Sequence, residues 1–294
     1  MKKIFFYIIL ALVGWSLSCD APFDTLKDDP SDQTDYAPVN MPISSDSYPS
    51  IYCSLPYDKL QEAKAEYQRI NEYQVCSPLD QYGWPDGSLT ACLSREIIRQ
   101  EITDEDRMIT MSKELLLKNS KFTGVTDTLD LVLLDSRGLI GCVKCDGSEG
   151  DIVHIGWRII FADQVYQGLE VYNTLFYLWM DTEKVYRISG HWYPEIYIPE
   201  IDQISPEKTR ECLIGTEIVW LSLTGDRQVY TVTSESFVGD AEKIIVSVRD
   251  EDSVELRVTC RFGIEYFLSG FPSWYIYVDT STGETIQTVQ LFVT

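Results

Sequence analysis

The hydrophobic period of this chain changes once, near Thr128, and that change limits the fold more than any other feature. Before it, apolar residues recur at three- and four-residue steps. Tyr57, Leu60, Ala63, Tyr67 and Ile70 make one stripe, which predicts a helix over 57–74. Gly83, Pro85 and Gly87 break the chain, and a second helix is expected over 88–100 with Leu89, Cys92, Leu93 and Ile97 inward. Thr103 is placed to cap a third, with Asp104, Glu105 and Asp106 in its electropositive first turn. That helix carries Met108, Met111, Leu115 and Leu116 inward and ends about Asn119. Beyond the change the period is two. Leu129 to Leu133, Val153 to Phe161 and Val254 to Phe262 alternate apolar with polar or small residues, as antiparallel strands with one dry face do. Ser205 and Pro206 read as the N-cap and first residue of a short helix reaching about Gly215. Helices, sheet, one helix, then sheet again define an α+β fold, with N-terminal helices, antiparallel sheets and a packed helix.

The N-terminus carries a separate message. Lys2 and Lys3 open it, Ile4 to Val13 is unbroken apolar sequence, and Gly14, Ser16 and Ser18 lead to Cys19. That is the architecture of a secretory signal, and the run is too short to span a bilayer. A cysteine at the cut point resembles the lipobox of bacterial lipoproteins, where the thiol takes a diacylglycerol. The resemblance implies a signal peptide over 1–18, lipid attachment at Cys19, and a lipid-anchored place in the cell envelope, at the outer membrane of a Gram-negative bacterium. An ordinary secretory cut near Ser18 is the alternative.

Residues 19–50 are expected to be a disordered acidic tether. Seven Asp, five Pro and five Ser lie within 20–50 against one Lys, Lys27, so no apolar face can form there. Two further segments follow, 51–199 and 200–294, with the boundary near Pro199. The net charge of the chain is −22. Phosphate binding needs clustered Lys and Arg, so nucleic acid is not an expected partner. The acids are spread along the chain, which suits solubility.

Two stretches resemble a known pair of modules. QVYQGLEVY (164–172) resembles the signature of the FTP module found in propeptides of thermolysin- and fungalysin-type proteases. LLLKN (115–119) and IGWRIIF (155–161) precede it, and VYRISGHWYPEI (185–196) follows, in the family's order. ISPEKTRECLIG (204–215) resembles the opening helix of a PepSY module, and WYIYVDTSTGETI (274–286) resembles its closing hairpin. The resemblance spans roughly 103–290. It makes 51–199 a helical segment with an FTP-like module and 200–294 a PepSY-like module. The matching residues Gln164, Tyr166, Gly168, Val171, Asp279, Thr282 and Gly283 read as structural. Gly168 suits a positive-φ turn, Tyr166 and Val171 suit sheet packing, and Gln164 suits a backbone contact at the turn. Asp279 and Thr282 can satisfy backbone groups around a hairpin whose positive-φ position is Gly283. A Cys212–Cys260 disulfide is expected between the PepSY-like helix and the strand it would cover.

Catalytic residues are not expected. The chain has His154 and His191 only, and neither begins His-Glu-x-x-His; no Gly-x-Ser-x-Gly elbow or phosphate loop occurs. Cys142-Val143-Lys144-Cys145-Asp146-Gly147 leaves three readings open. A redox pair is opposed by Asp146 and Glu149, and a zinc knuckle lacks a second ligand pair. A structural disulfide fits best, so no metal and no cofactor are expected. His191, Trp192, Tyr193 and Tyr197 crowd one loop, with Phe271 and Trp274 before the last hairpin. Trp and Tyr favour interface centres, so these six are candidate interface residues, with core filling the alternative. The sum is a non-enzymatic envelope lipoprotein that binds another secreted or envelope protein. By the resemblance, the partner is a peptidase that it inhibits or helps to fold. The alternative is a surface ligand- or glycan-binding protein, or a hydrolase, using the aromatic loop and a carboxylate cleft.

Overall fold

The computed structural model describes residues 37–292 apart from 45, 73–74, 88–103, 144–150, 181–184, 201–203 and 267–269. Residues 36–294 form one compact unit. In chain order its elements are β1 (Ser50–Cys53), α1 (Tyr57–Ile70), α2 (Glu105–Lys118), α3 (Ser120–Thr123), β2 (Leu133–Val143), β3 (Asp151–Phe161), β4 (Gln164–Tyr166), β5 (Leu169–Val171), β6 (Phe176–Met180) and β7 (Val185–Ser189). Then come α4 (Pro206–Leu213), β8 (Glu217–Leu221), β9 (Arg227–Thr231), β10 (Phe237–Arg249), β11 (Ser253–Ile264), β12 (Trp274–Asp279) and β13 (Thr285–Gln290). This is an α+β fold, as the change of period requires.

Signals that need no distant partner are read closely. Ser205 Oγ accepts the Lys208 N–H at 3.2 Å, and Pro206 opens α4. Asp104, one residue after the expected Thr103, caps α2 by accepting from the Arg107 N–H at 3.0 Å. α1 stops at Ile70, earlier than its stripe suggested, and Glu72 turns the chain at φ 49°. The strand expected from Leu129 is displaced. Asp127 accepts from the Leu129 N–H, Thr128–Asp130 winds into a 3-10 turn with Leu129 exposed, and β2 begins at Leu133. The helix expected over 88–100 lies outside the described residues.

Strands β2-β3-β6-β7 form a four-stranded antiparallel sheet. Helices α1 and α2 cover one face, where Tyr67, Met108 and Leu116 meet Ile159, Phe161 and Leu178. The two helices end on each other. Asn71 and Asn119 are their C-caps, and the buried side chains exchange amide hydrogen bonds at 2.8 and 2.9 Å. A complementary amide pair satisfies groups that would be costly to bury alone.

The larger sheet runs β13-β12-β11-β10-β5-β4, with β1 also on β11. Along one edge of β11, β1 pairs with 253–256 and β12 with 259–264, so the two strands abut end to end. One face is dry. Val254, Leu256 and Val258 pack with Tyr52 and Tyr193, while Cys260, Phe262 and Ile264 pack under Leu213 of α4 and Trp220 of β8. The alternate residues of β11, among them Arg257 and Arg261, face the other way.

Two expectations about organisation change here. The boundary near Pro199 does not divide the sheet, because β1, β4 and β5 belong to the same sheet as β10 to β13. The tether also ends early. Val39 N–H donates to Lys121 O at 2.9 Å, and the buried Asn40 amide donates to Cys53 O and Tyr82 O at 2.9 and 3.1 Å. Residues from 37 onward are therefore tied down by backbone-directed hydrogen bonds that composition alone does not reveal, and Cys19 lies outside the described residues.

Candidate functional site

The site with binding chemistry lies where β5 leaves β10. These strands run parallel and pair only at Val171 and Ile245, with the Tyr172 N–H donating to Ile245 O at 2.9 Å. Asn173 then takes a left-handed φ of 66° and turns the chain aside. Thr174 completes the turn, its N–H bonded to Asp163 and its hydroxyl donating to Val171 O at 2.6 Å. Burial raises the Asp163 carboxyl above its ordinary range. A cavity of about 330 Å³ opens between the parting strands. Tyr172, Val246, Val248 and Ile286 line it, together with Asn173, Gln287 and, from the β10 edge, Ser247 and Arg249, so polar and apolar surface are mixed. Its size is at the lower end of ligand sites, roughly 300–1,000 Å³.

Strand geometry sorts these groups. Val246 and Val248 pair with Arg257 and Glu255, so their side chains share the face opposite the core of Val254 to Val258. Tyr172 leans over that face, its ring 5.6 Å from that of Tyr277. Ile286 reaches the same cavity although β12 and β11 lie between β13 and β10, so the sheet curls on this side. Further along it, Arg257 bonds Glu255 at 2.5 Å and Asp279 at 3.2 Å, and Arg261 pairs with Glu242. Tyr172 closes the FTP-like stretch 164–172 without being marked there as a binding residue, and nothing in the sequence singles out the two valines. The one available signal is the apolar run IIVSV (244–248), apolar on both faces where an alternating strand would be wet on one.

The residues carrying the FTP- and PepSY-like resemblance build structure around this site. Gln167 and Gly168 have φ of 49° and 83°, both positive, so the β4–β5 hairpin turns as a type I′ loop needs. Tyr166 packs on the core beside the fully buried Val171. Gln164 reaches further than its own turn. Its amide nitrogen donates to Tyr193 O at 2.8 Å and its oxygen accepts the Tyr193 N–H at 2.9 Å. At the other end Asp279 Oδ1 accepts the Ser281 and Thr282 N–H groups, Thr282 Oγ1 accepts the Glu284 N–H, and Gly283 has φ 75°.

The aromatic interface expectation fails for four of its six residues. His191, Trp192, Tyr193 and Trp274 are buried: Tyr193 fills the dry face of the large sheet, Trp192 packs with the four-stranded sheet, and Trp274 is an inward residue of β12. His191 stacks on Trp84 with centroids 3.9 Å apart and planes 7° apart. Its Nε2 has no hydrogen-bond partner among the described residues, and burial, then the Arg249 charge, lowers its pKa to about 3. Tyr193 stands against Tyr52 and Trp84, and burial pushes its hydroxyl up to about 12. Tyr197 is half-buried, and Phe271 is 66% exposed.

The Cys212–Cys260 disulfide does not form. Cys212 is an exposed free thiol, while Cys260 is buried in β11. Helix α4 buries Thr209 and Leu213, four residues apart, and Cys212 falls off that stripe. Cys76 is disulfide-bonded. Cys142 lies in β2 with its side chain outside the described set, as is Cys145, so their pairing is not seen. Among the described residues no group of three or more His, Cys, Asp or Glu is placed to hold a metal ion.

No family model matches the chain. No curated protein matches it either. Among solved structures it is similar to the YpeB C-terminal domain of Bacillus megaterium, at 17% identity and a TM-score of 0.28, over 68% of this chain and 70% of that one.

Proposed function

We propose that this chain is a non-enzymatic binding protein of the cell envelope, held to the membrane by lipid on Cys19, whose partner is a secreted protein. The observation that carries the reading is the crevice at the parting of β5 and β10. It joins a cavity of mixed polar and apolar lining to a strand edge, which is chemistry for holding a chain rather than transforming one. The FTP-like and PepSY-like resemblance supplies the kind of partner: a peptidase encoded elsewhere, which the protein restrains or helps to fold. A glycan-binding reading loses its best surface, because His191, Trp192 and Tyr193 are in the core.

The test uses the full chain. Tagged protein is incubated with envelope extract, the captured partner is identified and purified, and the pair is titrated by calorimetry. A saturable isotherm with a secreted protein is expected. Hydrolysis of casein by the purified protein, with or without zinc, would overturn the non-enzymatic reading. A native N-terminus lacking acyl-Cys19 by mass spectrometry would overturn the anchor.

A further inference from the structure

From the open edge of β10 we infer that the crevice takes an extended, cationic segment of the partner polypeptide as an added strand; this deepens the binding reading above and rests on it. Along a strand, main-chain groups point alternately to the two neighbours. Ile245 O faces β5, since it accepts from Tyr172. The N–H and C=O groups of Ser247 and Arg249, two and four residues on, therefore face the same side, while Val246 and Val248 pair with β11. On that side β5 has already turned away at Asn173, and among the described residues β10 has no strand partner beyond Ile245. Two outward residues spaced this way accept about four to five residues of extended chain, at roughly 3.3 Å each.

The cavity beside this edge sets what the added strand carries. Val248, Ile286 and the Tyr172 ring are the apolar part of a lining that also holds Asn173 and Gln287, and they suit an apolar side chain on one face of the incoming segment. Charge sets the rest. Arg249 is turned to the far face, 4.0 Å from Asp80 and over the Tyr82 ring. Beyond it the β10–β11 turn exposes Asp250, Glu251 and Asp252 in sequence. A segment that continues past Arg249 meets these three acids on a chain of net charge −22, so its flanking residue is Lys or Arg. An unpaired edge next to a cleft that takes alternate side chains is the arrangement by which sheets accept peptide strands.

The probe is a fluorescein-labelled eight-residue peptide of alternating valine and lysine, followed by anisotropy with the full chain. Two control peptides replace lysine by glutamate, or carry N-methyl groups on every second amide. Saturable binding is expected, at least tenfold weaker for either control. Bound peptide should slow amide exchange at Ser247 and Arg249 at least tenfold in the unmutated protein, which needs no variant to fold. Val248→Asp should weaken binding at least tenfold. Equal binding of the N-methylated peptide overturns strand addition, and equal binding of the glutamate peptide overturns the cationic partner. Exchange at Ser247 and Arg249 that slows with protein concentration alone overturns both in favour of a second copy of this chain. If a captured envelope protein binds Val248→Asp as tightly as the parent, the crevice is wrong while the binding reading stands. Failure of both peptide and envelope protein to bind overturns the two together.

Discussion

Tyr48 Oη donates to Asp279 Oδ2 at 2.7 Å, across 231 residues of sequence. The same oxygen accepts the Val258 N–H at 3.0 Å. It thereby fills the gap along β11 between the start of β1 and the end of β12. Asp279 is fully buried and also takes Arg257, Ser281 and Thr282 as donors. Burial, then Asp279 itself, raises the Tyr48 hydroxyl above its ordinary pKa, so it stays a donor.

Tyr48→Phe removes one donor to a buried carboxylate and one acceptor from a buried N–H. It should destabilise the fold by about 1–3 kcal/mol. Asp279→Ala leaves Arg257 paired with Glu255 alone and frees two turn amides and the Tyr48 hydroxyl, and should cost about 2–3 kcal/mol. Urea unfolding monitored by tryptophan fluorescence measures both. A change below about 0.5 kcal/mol for Asp279→Ala would show that the network adds nothing.

Gln164 is held at both ends of its amide by the Tyr193 backbone. Gln164→Leu leaves a buried N–H and C=O unpaired, at about 2–3 kcal/mol. Gln164→Glu keeps the acceptor but sets a carboxylate oxygen against Tyr193 O, so it should not rescue. Stability equal to the parent in the Glu variant would contradict the assigned amide orientation.

His191 gives the fold a pH dependence with a definite sign. Its folded pKa is lowered to about 3, against roughly 6.5 for an unperturbed imidazole. The unfolded chain therefore binds a proton that the folded chain refuses, and stability falls as pH drops from about 6.5 toward 3. The slope approaches about 1.4 kcal/mol per pH unit within that window and vanishes above it. His191→Phe should flatten the segment between pH 7 and 5, where most carboxylates stay ionised. Parallel stability curves for parent and variant across that interval would refute the buried neutral imidazole.

Cysteine exposure is directly readable. Cys53 and Cys212 are exposed thiols, whereas Cys260 is 3% exposed. Native alkylation with iodoacetamide and peptide mapping should label Cys53 and Cys212 and leave Cys260 unlabelled. A Cys212–Cys260 linked peptide in a non-reducing digest would contradict the fold around α4.

What could be read in advance divides by range. Ser205 with Pro206 announces a helix start because an N-cap bonds an amide only three residues away, and the run from Thr103 to Asp106 announces another, with the cap one residue later than expected, at Asp104. The alternation of Val254 to Phe262 announces β11 because one face of that strand is dry. The hold of Gln164 on Tyr193, 29 residues on, has no local signature. His191, Trp192 and Tyr193 suggested a surface by composition, yet Tyr193 packs with the β10–β11 core and Trp192 with the four-stranded sheet, a placement only the packing decides. Cys212 is a different kind of miss, since the Thr209–Leu213 stripe already turns it outward. The crevice escaped because it depends on where β5 stops following β10, and Asn173 makes that turn without any motif.

The end-to-end meeting of β1 and β12 on β11 also governs how the chain must fold. The middle strand of the large sheet is completed by residues near position 50 on one side of the gap and near 279 on the other. Neither flank can stand in for the other, and their closure spans almost the whole polypeptide. Long-range pairing of this kind makes for slow folding, because loop entropy is lost before the contacts that offset it exist. A ribosome-bound chain that has not yet reached β12 has the centre of its sheet but no way to seal it. The native sheet therefore waits until the residues of β12 have been made.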